Sequence, residues 1–512
     1  MDLSGSGNFS CNTAVEAGMS AAVAPSRSVS ALLVANEGSR APDTAHALAV
    51  VQAFVENHKM RWKEMPGGFA AFERELHERV QAFERGLIAE AMACADIDTE
   101  AITVDGTVYR KVVRAEETYM SAAGEVSVMR TLYKDRTNEA ERAIVPMELR
   151  LGVVEGFWTP EAAKQAAWVV SQMTPKLGEE LFVRMGHMRP SKSSLDRLPK
   201  ALSDRWEDER LRFEQTLRET EVVPANAVSM AVSLDGVLVP MKDGGATEKR
   251  QKTAENGQLT RGPAGYREVG VGTLSFYDAE GEMLSAIRIG RMPEHKKATL
   301  KRWLKAEVSA MLDKHPDLQL VKLADGANDN WTFLAKDLPA GIELVDFFHA
   351  AQHLNEALGV VYGKGSVQTQ ERFEDLRFRL KETPDGVESV IRALAYLHKK
   401  HPKKTEVLAT LKFFRRRRHR MRYQEVGAQN LPIGSGIVEA ACKTLASQRL
   451  KLSGMQWGEE GGQAILTLRG WSQSGDRFDR AWALLAATYQ AEVITMRNVV
   501  PFPVPATRKP AG

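Results

Sequence analysis

Cysteine is scarce in this sequence of 512 residues. The three cysteines, Cys11, Cys94 and Cys442, stand at unrelated spacings, which excludes both a disulfide framework and a CxxC zinc site. Long apolar runs are missing too, since none approaches the ~18–20 residues of a membrane span. The first residues also lack the basic segment and sustained apolar run of a signal peptide. We therefore expect a cytoplasmic protein in a reducing compartment, with no membrane partner.

An excess of charge of one sign is also missing. The chain has 69 basic and 66 acidic side chains, a net charge of +3. Nucleic-acid binding is therefore not indicated by the total charge and requires local clusters of basic residues. Apolar residues make up 43% and charged residues 26%, which is typical of soluble globular proteins. The length allows two to four domains.

The N-terminal part divides into two regions by its pattern. Residues 1–45 are rich in Ser, Ala and Gly and have no apolar period, which predicts a disordered tail. Residues 46–155 predict helices followed by a small β module, because Asp105-Gly106 lies between β-branched runs as a hairpin turn does. The sequence does not indicate a role for this module.

Residues 156–222 predict a helix-turn-helix unit and a charged connector helix. The third short helix, Ser191–Leu198, is basic and hydroxyl-rich at its start, where a recognition helix contacts base edges. Any three-helix packing unit has the same pattern, so a purely structural role stays open. The candidate DNA contacts are Lys192, Ser193, Ser194 and Arg197.

The remaining chain predicts an α/β core interrupted by helices. Residues 226–360 read as three antiparallel strands followed by strands that alternate with helices, and residues 431–498 return to the core. Residues 361–430 between them predict an all-helical, basic insertion. Residues 499–512 form a Pro-rich tail.

Three acidic residues form the candidate catalytic site. Asp235 and Asp325 each follow an apolar run that predicts a strand, and functional side chains of an open sheet lie at the carboxyl ends of its parallel strands. Glu439 follows a Gly-Ser-Gly turn in the first turn of a helix, where an acid also stabilises the helix dipole. Converging carboxylates repel one another, and two Mg²⁺ or Mn²⁺ ions would remove that repulsion. Such a pair of ions serves in-line phosphoryl transfer.

Basic and aromatic residues near these acids are candidate DNA contacts. A run in the insertion contains Arg415, Arg416, Arg417, Arg418, Arg420 and Arg422. This run predicts binding to phosphates, although a solvated charged face gives the same pattern. Lys443 either contacts DNA phosphate or pairs with Glu439, four residues earlier. Trp331 and Trp457 either stack on a base or belong to the core.

Several motifs resemble the DDE transposases of bacterial insertion sequences, in the Mutator-like superfamily and nearest to its ISKra-type group. The resemblance covers roughly Val228–Arg469. Its motifs are Asp235-Gly236, Asp325-Gly-Ala-Asn-Asp-Asn-Trp331, Asp346-Phe-Phe-His349, Gly434-Ser-Gly-Ile-Val-Glu439, Arg449-Leu-Lys and Gly454-Met-Gln-Trp457. The zinc-binding N-terminal module of some Mutator-like members has no counterpart here, because its cysteines are missing.

The resemblance implies an RNase H-like core and a mechanism. Asp235, Asp325 and Glu439 become the metal-binding acids, while His349 contacts a scissile-phosphate oxygen or orients an acid, with Asp346 beside it. A zinc site of Asp346, His349 and His353 is the competing interpretation, because His-x3-His places two imidazoles on one helix face.

The function implied is transposition. The protein would bind the terminal inverted repeats of its own element, cleave DNA and join it to a target. Its partners would be double-stranded DNA and further copies of the chain, in the bacterial nucleoid. The alternatives are an inactive DNA-binding regulator and an RNase H-like nuclease without strand transfer.

Overall fold

A computed structural model describes residues 44–137, 142–242, 255 and 265–495. Both predicted tails lie almost wholly outside the described residues, as does most of the Gly-rich loop after Met241. Within the described ranges, no helix combines the length and the apolar character needed to cross a membrane.

A helical hairpin and a small sheet open the described chain. Helices α1 (Thr44–His58) and α2 (Gly68–Ala95) precede strands β1 (Ala101–Val104), β2 (Thr107–Ser121) and β3 (Gly124–Lys134). The predicted hairpin turn is confirmed: Asp105 and Gly106 have φ of 48° and 80°, the left-handed pair of a two-residue turn. The distant strand β9 (Val493–Thr495) completes the order β3-β2-β1-β9, a long-range pairing that the sequence pattern did not predict.

Five helices follow the small sheet. They are α3 (Pro146–Leu151), α4 (Pro160–Gln172), α5 (Pro175–Met185), α6 (Lys192–Asp208) and α7 (Arg210–Thr220). Helix α6 does not end at Leu198 as predicted but continues through Pro199. Its buried face, Leu195 to Trp206, packs against the C-terminal helices, and the Trp206 and Trp471 rings lie 4.4 Å apart. This shared core outweighs the hydrogen bond lost at proline.

The main sheet combines antiparallel and parallel strands. Its strands are β4 (Ser229–Pro240), β5 (Tyr266–Tyr277), β6 (Met283–Arg291), β7 (Gln319–Ala324) and β8 (Ile342–Val345), in the spatial order β6-β5-β4-β7-β8. The first three pair antiparallel, and β7 pairs parallel with both β4 and β8. The predicted α/β class, with three antiparallel strands before the parallel ones, is therefore confirmed.

Helices cover both faces of the main sheet. Helix α8 (Ala298–Lys314) follows β6, α9 (Asn328–Lys336) follows β7, and α10 (Phe347–Tyr362) follows β8. Leu304 of α8 packs against Gly272 on one face. Leu466, from α17 (Glu459–Ser472), packs against Gly290 on the other. Two apolar layers therefore enclose the strands that carry the candidate acids.

The predicted insertion is helical. It consists of α11 (Val367–Glu382), α12 (Gly386–Lys400), α13 (Thr405–Arg417) and α14 (Tyr423–Gly427). The helical spacing of the basic run predicts that it lies on one helix. The structure instead divides the run between two helical elements. Helix α13 ends at Arg417, and a 3₁₀ turn (Arg418–Arg420) changes the chain direction before α14. The arginines consequently point in several directions.

The last core segment begins after residue 430. Helix α15 (Gly436–Ala441), a π-helical segment (Cys442–Ser447) and α16 (Gln448–Leu450) run without a break. Helices α17 and α18 (Arg477–Ala487) then pack against α4 and α6. The predicted helix around Glu439 is confirmed, and its π-helical stretch is an addition from the structure.

Candidate active site

The strand register places Asp235 and Asp325 side by side. The parallel pairing of β4 with β7 ends at the pair Ser233 and Leu323. Asp235 lies two residues after Ser233, and Asp325 lies two residues after Leu323. Strand β4 itself continues to Pro240, so the predicted strand end at Asp235 is wrong. What ends there is the pairing with β7, because β7 stops at Ala324. The two carboxylates consequently share the carboxyl edge of the parallel pair.

Asp235 is half-buried, and neighbouring cations offset its negative charge only in part. Its Oδ1 accepts a hydrogen bond of 2.7 Å from the Gly236 N–H, and its Oδ2 lies 3.8 Å from Cys442 Sγ. Burial raises the pKa of Asp235, and the charge of Asp325 raises it further, while Lys297 and His349 oppose the shift. A cation at this position would therefore be stabilised by the carboxylate.

The loop carrying Asp325 is fixed by neighbouring groups. Its Oδ1 accepts hydrogen bonds from the Ala327 N–H at 3.0 Å and from Asn330 Nδ2 at 3.2 Å. Its backbone carbonyl accepts a bond of 2.7 Å from the indole Nε1 of Trp331. From the insertion, the Arg417 guanidinium donates to the Gly326 carbonyl. The insertion thus positions the loop after β7.

Glu439 reaches the same region from α15. Its side chain is 46% exposed. Burial raises its pKa, as do the charges of Asp346 and Asp235, while His349 lowers it. Cys442, three residues later, begins the π-helical segment and contacts Asp235. Single-turn π-helical insertions occur frequently at functional sites, and this one holds the Glu439 helix against β4.

Asp346 joins two elements of the site. It is fully buried, and its Oδ1 accepts the His349 N–H at 2.6 Å as the N-cap of α10. Its Oδ2 accepts the Ser435 N–H, directly before α15. Burial raises the pKa of this carboxyl, but the hydrogen bonds from His349 and Ser435 outweigh burial and lower it. Asp346 is therefore ionised and holds α10 and α15 together.

His349 lies between two carboxylates. Its Nδ1 is 3.4 Å from Asp346 Oδ1 and 3.6 Å from Glu439 Oε1, yet within the described part of the chain this buried atom makes no hydrogen bond of good geometry. The nearby Asp346 carboxylate raises the pKa of His349 to about 9, against the opposing effect of burial, and the charges of Glu439 and Asp235 add to the rise. The imidazole is thus a cation at neutral pH, able to donate to an anionic oxygen.

Two sets of side chains are candidates for metal ligands. Among the described residues, Asp346, His349 and Glu439 offer ligand atoms within 4.8 Å of one another, and Asp235 and Asp325 are not in that group. Both oxygens of Asp346 already accept backbone N–H groups, so it suits positioning better than ligation. Burial raises the pKa values of Asp235 and Glu439, and neighbouring carboxylates raise them further, so a bound cation would favour their ionised forms. Their hard oxygen donors, with Asp325, fit Mg²⁺ or Mn²⁺.

The zinc interpretation receives no support from this geometry. His353 is absent from the cluster of metal-compatible side chains in the described residues. Its ring packs against Phe413, with 4.5 Å between the ring centroids. Burial lowers the pKa of His353, which suits a neutral histidine beside the core.

A cleft of about 980 Å³ opens beside Asp235 and Asp325. Its wall includes Lys296 and Lys297, which the sequence pattern does not single out. Both lysines have left-handed backbone, with φ of 51° and 55°, an unusual conformation for two consecutive side-chain-bearing residues. Lys297 Nζ lies 2.7 Å from Glu268. Tertiary contacts hold these lysines at the cleft, and their local sequence carries no signal for it.

The predicted DNA contacts on α6 lie at its N-terminus. Lys192, Ser193 and Arg197 are exposed, and Ser194 is half-buried. Ser191 caps the helix by accepting a hydrogen bond of 3.1 Å from the Ser194 N–H. The three exposed side chains are therefore accessible to a partner.

The basic run splits into outward and inward side chains. The exposed members are Arg415, Arg416, Arg418 and Arg422. Arg417 and Arg420 instead point inward, and Arg420 donates to Glu343 at 2.7 Å. The Arg420 guanidinium also lies 4.2 Å from the ring centroid of Trp331. Arg417 and Arg420 stabilise the junction with the core, so phosphate binding is left to the exposed members.

Trp331 was predicted to contact DNA, but it lies in the core. It is 4% exposed, with Arg420 against its ring and its indole N–H bonded to Asp325. The ring is thus unavailable for stacking on a base, and the core interpretation is favoured. Lys443 is exposed, and no ion pair joins it to Glu439 among the described residues. It remains available for phosphate.

Comparisons with known proteins add no relative: the sequence matches no family model and has no significant match among curated proteins. The interpretation of the site therefore depends on its motifs and geometry.

Proposed function

We propose that this protein is a DDE-type DNA transposase that binds the ends of its own element, cleaves them and joins them to target DNA. The observation that carries the proposal is the edge formed by Asp235 and Asp325 on adjacent parallel strands, with the Glu439 helix packed against it through Cys442. The strand order β6-β5-β4-β7-β8 is the one expected of an RNase H-like core with a helical insertion. The motif resemblance to Mutator-like transposases agrees with both features.

In the proposed reaction, Asp235, Asp325 and Glu439 would hold two Mg²⁺ or Mn²⁺ ions. Such ions, when bound, stabilise the attacking and leaving oxygens of an in-line phosphoryl displacement. Protonated His349 would donate a hydrogen bond to an oxygen of the scissile phosphate. Asp346 would act as a positioning residue, because it holds both His349 and the start of the Glu439 helix.

DNA would reach this site along the exposed basic residues. The N-terminus of α6 presents Lys192 and Arg197, the insertion presents Arg415 and Arg416, and the exposed Lys443 follows Glu439 by four residues. We propose that the first set contacts the inverted repeats and the others contact phosphates near the cut. Two ends must be held together for joining, so a homo-oligomer on nucleoid DNA is part of the proposal.

The test is divalent-metal-dependent cleavage and joining of DNA that carries the element's ends. Asp325→Asn should abolish both activities while DNA affinity in metal-free buffer stays within about twofold of wild type. Asp337→Asn, at the exposed far end of α9, is the matched control and should retain activity. Activity that survives in Asp325→Asn would refute the site. An inactive wild type that still binds DNA would favour the regulator, and cleavage without joined products would favour the nuclease.

A further inference from the structure

Arg449 is a charged side chain that is buried in the fold. It follows the π-helical segment in α16 and is 2% exposed. Among the described residues, its Nε and Nη1 atoms have no hydrogen-bond partner. Burial lowers its pKa to about 10 and Arg469 contributes, while Asp196 opposes the shift. The guanidinium therefore remains charged at neutral pH, although an uncompensated buried charge costs several kcal/mol.

Arg469 shows that this packing can satisfy a buried arginine. It lies close by, is 4% exposed, and its pKa is likewise lowered to about 10 by burial. Its guanidinium donates to the carbonyls of Thr444, Leu445 and Ser171. Arg469 thus ties α17 to the π-helical segment and to α4. Among the described residues, Arg449 Nε and Nη1 have no such carbonyl partners, so hydrogen bonding within the fold does not account for its charge.

The unpartnered guanidinium lines a pocket of about 330 Å³. Lys200, Lys242, Gln456 and Trp457 also line it, and the guanidinium carbon lies 5.3 Å from the Trp457 ring centroid. The indole ring is held in place because its Nε1 donates to the Leu450 carbonyl at 2.9 Å. Cationic side chains therefore line part of a space large enough for a phosphate group.

The pocket also has an acidic side. Asp196 lies on its wall, and Lys200 is paired with Glu460 at 2.8 Å. These carboxylates belong to exposed side chains, which solvent screens. The charge that is shielded from solvent is that of Arg449, so the deep end of the pocket attracts anions.

From this geometry we infer that the Arg449 pocket binds a backbone phosphate of DNA. Helix α6 forms one wall with Asp196, Pro199 and Lys200, and the same helix presents Lys192 and Arg197 to solvent. DNA along α6 therefore brings a phosphate to the pocket mouth, where the guanidinium donates to its oxygens. This inference rests on the proposed DNA binding but not on the metal site. It links the end-binding helix directly to the segment that continues from Glu439.

The experiment compares wild type with Arg449→Met and, as the matched control, Arg469→Met, in buffer containing EDTA. Thermal unfolding is followed with added inorganic phosphate, and binding of a DNA duplex is measured by anisotropy at several salt concentrations. Wild type should be stabilised by phosphate. Arg449→Met should bind DNA about 10- to 100-fold more weakly, with a slope of log affinity against log salt reduced by about one. It should not be less stable than wild type, since it removes an uncompensated charge.

The control should behave in the opposite way. Arg469→Met loses its carbonyl bonds and should unfold at a lower temperature, with its phosphate response unchanged. If Arg449→Met fails to fold, the assignment of an unpartnered charge is refuted. In that case Lys242→Gln still tests the pocket, because Lys242 is an exposed residue on the same wall. If the pocket binds phosphate, this variant should bind both phosphate and DNA more weakly. An Arg449-dependent phosphate response with unchanged DNA affinity would show a site for free anions and overturn the DNA assignment.

Discussion

Replacement of Asp346 by asparagine tests how the site is held together. The carboxylate accepts the N–H groups of His349 and Ser435 with one oxygen each, and it is fully buried. A hydrogen bond to a charged group contributes about 1.5–3 kcal/mol, and a buried donor without a partner costs about 1–3 kcal/mol. Asparagine keeps one acceptor and turns an NH₂ group toward the other N–H. We therefore expect Asp346→Asn to lower the free energy of unfolding by about 3–5 kcal/mol.

The same substitution should lower strand cleavage more than DNA binding. Glu439 would no longer be held by the Ser435 contact, and His349 would lose the charge that keeps it protonated. Urea denaturation, cleavage rates and DNA affinity measure the three quantities. Asp479→Asn is the control, because that carboxylate is 68% exposed in its pair with Lys164 and should change stability by less than about 1 kcal/mol. If Asp346→Asn retains wild-type stability and cleavage, Asp346 does not hold the two helices together.

Two further predictions concern a buried acid and the buried tryptophan. Burial raises the pKa of Glu214 to about 7, although Arg210 and Arg218 oppose the shift. Its stabilising contribution is complete below its unfolded pKa of about 4.3 and is lost as pH rises through about 7. Between pH 4 and pH 8, the free energy of unfolding of Glu214→Gln, measured in urea, should therefore rise relative to that of wild type by up to about 3 kcal/mol. A difference between the two proteins that does not change with pH would contradict this. Trp331→Phe should lose the bond to the Asp325 carbonyl, lowering cleavage with DNA affinity unchanged; a loss of affinity would instead indicate base stacking.

The sequence by itself determined the order of elements and the positions of the acids. Apolar runs and turn residues predicted the strands, because strand period and turn chemistry are local properties. The Asp105-Gly106 turn, the strand that leads to Asp325 and the helix start at Glu439 all belong to this class. The motifs then suggested the chemistry that we propose for those acids, and the structure places Asp235 and Asp325 on neighbouring strands.

The tertiary structure decided which side chains face the site and which are buried. Trp331, Arg417 and Arg420 looked like DNA contacts in the sequence, but packing turned them inward. The position of Lys297 at the cleft and the burial of the Arg449 guanidinium became visible only in the fold. Their environments are formed by segments far apart in the chain, and the pattern within one segment carries no record of what another places beside it.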